Sequence, residues 1–465
     1  MRYDRKKHIC GTYPPRKKLM KKTKIGFVSL GCCKNLMDTE VMLSELNAAG
    51  YEITGEETEA DIIILNTCGF IQEAKTEAID NILDIAWLKK NAKLKGLIVC
   101  GCLVQRYGEE IMKEMPEVDA VVSVGAIHDI VEAVQKVEAG VKYKSLKAPE
   151  EAALGGDRIV TTPEHYAYIK IAEGCDNRCT YCAIPDIRGK FRSRPIEDIV
   201  EEAKNMESLG IRELILVAQD TTRYGFDIYG EYKLDELIRA VTEATSIPWI
   251  RILYCYPDKI TDGLCKEFRE NDRLVKYIDI PVQHINDTIL RRMNRHGGKD
   301  VIVSAIKKLR EACPEIVIRS TVIVGFPGET EEQFAELMDF LAETKFDRLG
   351  AFEYSAEDGT PAAEFEDQID DDVKAERYDA VMSQQNGIME EANSRRVGRR
   401  EIVIVEGYDP VSETYYCRSQ AEAPEIDGKV YLTGAPKNSF TPGDMVDVTI
   451  TEAMDCDLLA ELSQF

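Results

Sequence analysis

The stretch EGCDNRCTYC at positions 173–182 places three cysteines, Cys175, Cys179 and Cys182, in one short loop. Closely spaced thiolates bind zinc or hold an iron–sulfur cluster. A structural zinc site takes four ligands, and none of the five histidines stands at the spacing of a zinc finger or ribbon. A cluster held by only three thiolates keeps one iron open for a small molecule. We therefore predict such a cluster at this loop trio; a zinc site or an oxidation-prone loop is the alternative.

A second group of cysteines is spread over the N-terminal part of the chain. Cys32, Cys68 and Cys102 end the runs IGFVSLGC, DIIILNTC and LIVCGC, which have the continuous apolar character of buried parallel strands. Open α/β sheets place ligands beyond the carboxyl ends of such strands, so these thiols should meet at one sheet edge. Cys100 should instead point into the sheet, and Cys33 lies beyond the strand end. We therefore assign Cys32, Cys68 and Cys102 as the sheet trio; scattered core cysteines are the alternative.

The elements around these cysteines predict an α/β chain of three domains. Short apolar runs alternate with helix-like segments over 24–136, which indicates a small parallel-sheet domain, and 137–162 is interpreted as a linker. Six further strand–helix repeats over 163–395 predict a partial or complete parallel barrel with its chemistry at the C-terminal ends of the strands. Short strands punctuated by Gly, Pro and Asp predict a small antiparallel β-barrel at 397–465.

Composition limits the environment and the partners of the chain. No apolar run approaches the roughly 20 residues that a bilayer demands, so no membrane association is expected. Fourteen cysteines without an apolar secretory signal indicate the reducing cytoplasm. The net charge of −24 favours basic partners over nucleic acid. Residues 1–23 are interpreted as a disordered basic tail, with a nucleic-acid arm as the less favoured reading and Met20 as an alternative start.

The motif CDNRCTYC resembles the CxxxCxxC loop of radical S-adenosylmethionine enzymes, and two cysteine trios in this order resemble the methylthiotransferases of that superfamily. The resemblance covers residues 24–462 and includes a terminal barrel of the TRAM type. It implies two [4Fe-4S] clusters, one on each trio, and S-adenosyl-L-methionine as cofactors. In that family one S-adenosylmethionine methylates sulfur at the N-terminal cluster, and a second generates the radical that activates the acceptor carbon. An electron donor and a sulfur donor are the implied partners.

Five residues outside the trios are candidates for binding the cofactor. By resemblance, Tyr181 lies beside the adenine, although plain packing would also explain it. Gln219, Gln283, Arg319 and Gly325 lie at or near the C-terminal ends of predicted barrel strands. Arg319 would pair with the cofactor carboxylate or with an internal acid. Gly325 would let the backbone approach the adenosine or would only form a turn. The family-like stretch RGKFRSRP, with Arg188, Arg192 and Arg194, has no assigned contact.

The acceptor is inferred from further motifs and from charge. SLGCCKN, in which Cys33 replaces a usual proline, AQDTTRYG and GFPGETEEQF resemble the methylthiotransferase branch that acts on an aspartate of ribosomal protein S12. The tRNA branch typically shows QNVN where this chain has QDTT at 219–222. Residues 397–465 hold thirteen acids and five cations. This module should therefore repel phosphates and attract a basic protein, unless the acids merely form a solvated face.

The sequence therefore predicts an enzyme that adds a methylthio group to the β-carbon of an aspartate in ribosomal protein S12. A methylene hydrogen beside a carboxylate is poorly acidic, so a radical route suits this carbon and no general base is required. The alternatives are methylthiolation of a tRNA adenosine and a non-catalytic iron–sulfur or zinc module that binds RNA.

Overall fold

The computed structural model describes residues 22–152 and 154–463 of the chain. The predicted basic tail, with Met20, lies almost wholly outside these residues and stays a prediction. Within them the chain forms a parallel-sheet domain, a partial barrel and a small closed barrel, each with its own apolar core, in agreement with the predicted α/β fold class. No helix in this part of the chain has the length and apolarity needed to cross a bilayer.

The N-terminal domain is one parallel sheet with helices packed on both faces. Its elements are β1 (Lys24–Ser29), α1 (Cys33–Ala48), β2 (Glu52–Thr54), β3 (Ile62–Thr67), α2 (Gln72–Asn91), β4 (Gly96–Gly101), α3 (Cys102–Glu114), β5 (Ala120–Ser123), α4 (Ile130–Glu138) and β6 (Tyr143–Ser145). The strand order is β2-β1-β3-β4-β5-β6. Strands β3 and β4 are completely buried, which explains why their sequences are continuous apolar runs.

The edge strands β2 and β6 are not predicted from the sequence. Each has only three residues and weak apolar character, so the periodicity carries little signal. Strand β6 falls inside the segment 137–162 that was interpreted as a linker, so this segment supplies the last strand of the sheet. Later in the same segment Arg158 forms ion pairs with Glu40 of α1 and, at 2.8 Å, with Glu202. The chain between the two domains is therefore packed against both of them.

The central unit is the partial barrel. Its elements are β7 (Tyr166–Lys170), β8 (Ala172–Glu173), α5 (Ile184–Arg188), β9 (Arg192–Ser193), α6 (Ile196–Ser208), β10 (Glu213–Val217), α7 (Phe226–Tyr229), α8 (Leu234–Ala244), β11 (Trp249–Ile252), α9 (Asp262–Glu270), β12 (Tyr277–Asp279), α10 (Asp287–Arg292), α11 (Gly298–Ala312), β13 (Val317–Val324), α12 (Glu331–Thr344), β14 (Arg348–Glu353) and α13 (Asp371–Ser394). Strands β7, β10 and β11 form one parallel sheet and β12, β13 and β14 another, and a bridge between Ile250 and Leu274 connects them. The predicted strand–helix repeats are thus confirmed.

The C-terminal unit is a closed barrel of short strands. These are β15 (Arg400–Asp409), β16 (Thr414–Arg418), β17 (Val430–Leu432), β18 (Met445–Met454) and β19 (Asp457–Leu462), in the order β15-β16-β17-β19-β18. The β17–β19 pair is parallel, so the barrel is not wholly antiparallel as predicted. Strand β19 is the one that closes the barrel, and it pairs with both β17 and β18.

Buried ion pairs join this terminal barrel to the partial barrel. Glu213 of β10 is completely buried and pairs with Arg418 of β16 and, at 2.6 Å, with Arg251 of β11. The Tyr277 hydroxyl donates a hydrogen bond of 2.8 Å to Asp427. A buried charge is tolerated only when it is paired and hydrogen-bonded. The two units are therefore held together by matched charges rather than by apolar contact alone.

Glu422 forms a second ionic joint between the same two units. Its Oε1 atom lies 3.1 Å from the Arg348 guanidinium at the start of β14, and Arg396 at the end of α13 also donates to it. Burial alone would raise the pKa of this carboxyl, but Arg396 and Arg348 lower the pKa of Glu422 from 4.5 to about 2. The carboxylate therefore stabilises the fold fully above about pH 4.5, and the contribution is lost as the pH falls towards 2.

We predict that Glu422→Gln lowers the free energy of unfolding by about 3–5 kcal/mol at neutral pH, because two buried guanidinium groups lose their counter-charge. The measurement is thermal or urea unfolding of the full chain between pH 7 and pH 3. The difference from the wild type should shrink below about pH 4.5, because the carboxyl of the unfolded chain begins to protonate there while the native carboxylate stays charged. Glu452→Gln, at an exposed acid of β18, is the matched control and should change stability by less than about 0.5 kcal/mol. Equal effects of the two substitutions would contradict the prediction.

Candidate functional site

The sheet trio converges at the carboxyl edge of the first sheet. Cys32 precedes α1, Cys68 follows β3 and Cys102 begins α3 directly after β4, and β1, β3 and β4 are neighbours in the sheet. Gly31 has φ of +88°, and a Cβ atom there would lie 2.8 Å from the Cβ of Cys68, so only glycine fits this close approach. Burial, opposed by Arg188 and aided by the nearby Cys32 and Cys68 thiols, raises the pKa of Cys102 to about 12. The three thiols therefore share one site.

The two competing cysteines face away from this site. Cys100 lies in the core between the sheet and α1, with its sulfur 3.6 Å from the carbonyl oxygen of Leu65 and 4.0 Å from the sulfur of Met42. The predicted inward orientation of Cys100 is confirmed. The Cys33 sulfur lies 3.9 Å from the Tyr254 hydroxyl of the partial barrel, and burial raises the pKa of Cys33 to about 11. Cys33 is thus at the boundary between the domains.

A buried ionic cluster connects the sheet trio to the partial barrel. Arg188, the last residue of α5, donates to the Cys102 sulfur at 3.3 Å and to Asp38 of α1 at 2.6 Å. Glu173 lies 3.4 Å from the same guanidinium, and Lys170 pairs with both Asp38 and Glu173. Burial would raise the pKa of Glu173, but Lys170 and Arg188 lower it to about 2. Two acids and two bases therefore balance one another here.

The loop trio follows β8 and is shaped by backbone contacts. Gly174 has φ of +78°, and a Cβ atom there would lie 2.1 Å from the carbonyl oxygen of Lys190, so the approach to Cys175 requires glycine. The amide of Cys182 donates to the carbonyl of Cys179 at 3.0 Å. Burial raises the pKa of Cys175 to about 12 and that of Cys182 further, and Cys179 adds to both shifts. Thiol ligands bind metal as thiolates, so cluster binding at Cys175 and Cys182 is coupled to loss of their protons.

Polar groups without partners occur in the loop of this trio and after barrel strands β11 and β12. The side-chain oxygens of Gln283, Asn177 and Tyr256 are buried and have no hydrogen-bond partner among the described residues. The Tyr181 hydroxyl accepts a hydrogen bond of 3.2 Å from Arg295, whose guanidinium lies 4.1 Å above the Tyr256 ring. Buried polar atoms without partners are rare in folded proteins and indicate where a polar ligand binds. These groups therefore fit a polar cofactor beside the loop trio.

The remaining predicted cofactor residues differ in position. Gln219 stands two positions after the end of β10 and is half-buried, and its role in binding the cofactor stays a prediction. Arg319 lies near the start of β13 rather than at its C-terminal end, and it pairs with Asp279 at 2.8 Å, which is the internal-acid alternative. Gly325 does follow the end of β13, with φ of +67°, but a Cβ atom there would lie 2.4 Å from the Lys374 side chain. Close packing against Lys374 therefore explains this glycine.

Several residues of the site are not predicted from the sequence. Arg295 has no motif of its own, and only its contact with Tyr181 reveals it. Asn177 lies inside the cysteine motif, but its unpaired side-chain oxygen is visible only in the structure. Arg188 stands in a family-like stretch, but its contact with Cys102 joins distant parts of the chain. The other arginines of that stretch are structural, since Arg192 donates to the carbonyl of Glu150 and Arg194 to that of Lys170.

The donor set fits iron–sulfur clusters better than a single metal ion. Within the described residues, no three His, Cys, Asp or Glu side chains are arranged to hold one ion. A cluster spreads its thiolate ligands over several irons, so they lie farther apart than the ligands of a single ion. Each trio consists of thiols alone, which soft iron–sulfur clusters prefer. The zinc alternative is therefore disfavoured at both sites.

Three models of protein families match the chain. The Radical SAM superfamily model matches residues 169–341, the model of uncharacterized protein family UPF0004 matches 24–123, and the TRAM domain model matches 397–462. These segments lie in the partial barrel, the parallel-sheet domain and the terminal barrel respectively.

Relatives of known name are similar over nearly the whole chain. Identity is 49% over 444 residues with ribosomal protein uS12 methylthiotransferase RimO of Desulforamulus reducens, which covers 95% of this chain and 99% of that protein. Identity is 47% with RimO of Clostridium tetani, which covers 95% and 98%. A solved structure of radical S-adenosylmethionine methyltransferase TsrM from Kitasatospora setae, with cobalamin and a [4Fe-4S] cluster bound, has a TM-score of 0.56 at 13% identity over 74% of each chain. This last similarity concerns the fold alone.

We predict that alanine at Cys32, Cys68 or Cys102 removes the iron held by the sheet trio and leaves the loop trio loaded. The reason is that each variant keeps only two of three thiolate ligands. The measurement is iron and acid-labile sulfide after anaerobic reconstitution, which should fall to about half of the wild-type content. Cys33→Ala and Cys100→Ala are the matched controls, since their sulfurs face Tyr254 and the core. Loss of iron in either control, with retention in Cys32→Ala or Cys102→Ala, would reassign the ligands.

Proposed function

Because this chain belongs to the family of ribosomal protein uS12 methylthiotransferases, we propose that it transfers a methylthio group to the β-carbon of an aspartate in ribosomal protein uS12. This is the protein S12 of the sequence-based prediction. The strongest structural support is the proximity of two thiol trios on facing domains. Arg188 touches Cys102 of the sheet trio and also pairs with Glu173, which stands two positions before Cys175 of the loop trio.

We infer that the sheet trio and the loop trio each hold a [4Fe-4S] cluster and that S-adenosylmethionine binds beside the loop trio. Six thiols in two groups of three support this cluster number, since each group leaves one metal corner without a protein ligand. The unpaired oxygens of Gln283 and Asn177 would accept hydrogen bonds from the donors of the cofactor. When bound, these cofactors supply the radical that activates the acceptor carbon and the methylthio group that replaces its hydrogen.

One short segment of the partial barrel contacts both cysteine sites. This segment, 254–256, follows β11. The Tyr254 hydroxyl contacts the Cys33 sulfur of the sheet domain. The Tyr256 ring lies under Arg295, which donates a hydrogen bond to Tyr181, the residue before Cys182 of the loop trio. These contacts link the two sites across the boundary between the sheet domain and the partial barrel.

The charge of the terminal barrel supports a basic protein as the acceptor less strongly in the structure than in the sequence. Six of its thirteen acids are exposed: Glu413, Glu425, Asp447, Glu452, Asp455 and Glu461. Four of its five cations are exposed too: Arg399, Arg400, Lys429 and Lys437. Other acids, including Glu406, Glu422 and Asp427, contact groups buried at the joint with the partial barrel. The proposal that uS12 is the acceptor therefore rests on family membership, and docking of a basic protein on this barrel has only modest electrostatic support.

Two further partners belong to the proposal. Reductive cleavage of S-adenosylmethionine consumes an electron, so an electron donor is required. The transferred group contains a sulfur atom, so a sulfur donor must restore it after each turnover. The cytoplasmic location inferred from the cysteine content stays a prediction.

We predict that the anaerobically reconstituted and reduced chain forms 5′-deoxyadenosine and raises the mass of uS12 by about 46 Da, as expected when CH3S replaces hydrogen. The measurements are chromatography of the nucleoside and mass spectrometry of the digested uS12. A variant with alanine at Cys175, Cys179 and Cys182 is the matched control and should form neither product.

The rival functions have different outcomes in the same experiment. A mass gain on tRNA but not on uS12 would establish the tRNA alternative. A fully loaded chain that forms no 5′-deoxyadenosine would contradict an enzymatic role and favour the binding module.

A further inference from the structure

Lys34 differs from every other buried cation in the described part of the chain. Ten lysine or arginine residues are buried there: Lys34, Lys75, Lys170, Arg188, Arg194, Arg251, Arg348, Lys374, Arg377 and Arg418. Nine of them have a carboxylate within 4.0 Å. Lys34 is only 4% exposed, and no carboxylate of the described residues pairs with it. Its side chain is thus buried while its ammonium has no acidic partner, so an anionic ligand that reaches this place would meet an unpaired positive charge.

The contact that Lys34 does make is with an aromatic ring. Its ammonium lies 3.2 Å from the ring centroid of Tyr254. A cation over a ring gains a modest electrostatic attraction, which is much weaker than a desolvated ion pair. Tyr254 holds this place with φ of +62°, and its amide donates to Asp279 at 3.1 Å. The ring is thus fixed beneath the ammonium, which leaves the other donors of Lys34 available.

The position of Lys34 is between the two trios. It stands two residues after Cys32 of the sheet trio, on the first turn of α1. Its partner Tyr254 stands two residues before Tyr256. The Tyr256 ring lies beneath Arg295, and Arg295 donates to Tyr181, which directly precedes Cys182 of the loop trio. The acceptor carbon has to reach both sites during the proposed reaction. A cation at this junction is therefore placed to touch the acceptor residue.

The sheet trio already has a different cation. Arg188 donates to the Cys102 sulfur at 3.3 Å, so this cation faces the sheet trio directly. The nearby guanidinium of Arg319 is also occupied, since it pairs with Asp279 and lies 4.0 Å from Asp427. Arg295 has no carboxylate partner either, but its guanidinium donates to the Tyr181 hydroxyl and to the Pro281 carbonyl. Lys34 is therefore the cation at this junction whose donors have no acceptor among the described residues.

We propose that Lys34 binds the side-chain carboxylate of the acceptor aspartate and thereby selects an acidic residue for modification. This inference rests on the proposed function and deepens it, because it names a residue that recognises the substrate. The β-carbon is bonded directly to that carboxylate, so a fixed ammonium would hold the reacting carbon at one place. An ammonium–carboxylate contact in a water-poor site is strong and discriminates against a neutral amide.

The test compares two acceptors with the full, reconstituted chain: uS12, and uS12 in which asparagine replaces the acceptor aspartate. The wild type should bind and modify the aspartate form roughly 10- to 100-fold better, as expected for loss of a charged hydrogen bond. Lys34→Gln should lose most of this preference, mainly by weakening the aspartate form, and Lys34→Arg should restore part of it. Lys93→Gln, at an exposed lysine of the same domain, is the matched control and should keep the preference.

Two readouts separate substrate recognition from a structural role. Iron content and 5′-deoxyadenosine formation report whether Lys34→Gln still assembles its clusters, and calorimetry reports binding of each uS12 form without turnover. Equal weakening of both forms, or an unchanged preference in Lys34→Gln, would overturn the proposal and assign Lys34 to packing or to the sheet trio. A wild type that modifies neither form would instead overturn the proposed function, together with this inference.

Discussion

The buried ionic cluster of Asp38, Lys170, Glu173 and Arg188 is the constraint on which the geometry of the site depends. Asp38 lies on the helix that follows Cys32, and Glu173 precedes the loop trio by two positions. All four residues are buried, and each acid contacts both bases. Burying four charges is tolerable only when the pairing is complete. Any shift of one domain against the other would separate these charges, so the cluster fixes the position of the sheet trio relative to the loop trio.

The same rule governs the other contacts between domains. Glu357 forms ion pairs with Lys75 and Arg106 of the sheet domain, at 2.9 and 3.0 Å. Glu213 forms ion pairs with Arg251 and Arg418 where the terminal barrel meets the partial barrel. In both places one acid from the partial barrel is shared by two cations. An acidic chain of net charge −24 thus uses part of its carboxylates as internal links rather than as surface charge.

The apolar and glycine patterns of the sequence predict the scaffold well, and the charged residues are where prediction fails. The continuous apolar runs of β3 and β4 follow from burial on both faces, and the rule about strand ends brings Cys32, Cys68 and Cys102 together. Local sequence contains no signal for a contact such as that of Arg188 with Cys102, because the partners are distant in the chain.

The misplacement of Arg319 has a related cause. It lies in one long apolar run, IVIRSTVIVGF, in which the beginning and the end of the strand are indistinguishable. The structure begins β13 only two residues before Arg319. The charge argument for the terminal barrel is weakened for the reason that applies to Arg188, since the sequence counts acids without showing which of them face another domain.

Charge balance also bears on how a radical enzyme achieves selectivity. A radical strong enough to attack an unactivated carbon has little chemical preference of its own, so the protein must select the acceptor by position. Position is set most sharply by a charged group held in a rigid, water-poor setting. Where the scaffold needs a buried cation only for stability, it supplies an acid beside it, as at Arg188 or Arg418. Lys34 lacks such an acid and contacts only the Tyr254 ring, so its charge remains available for the carboxylate of an acceptor.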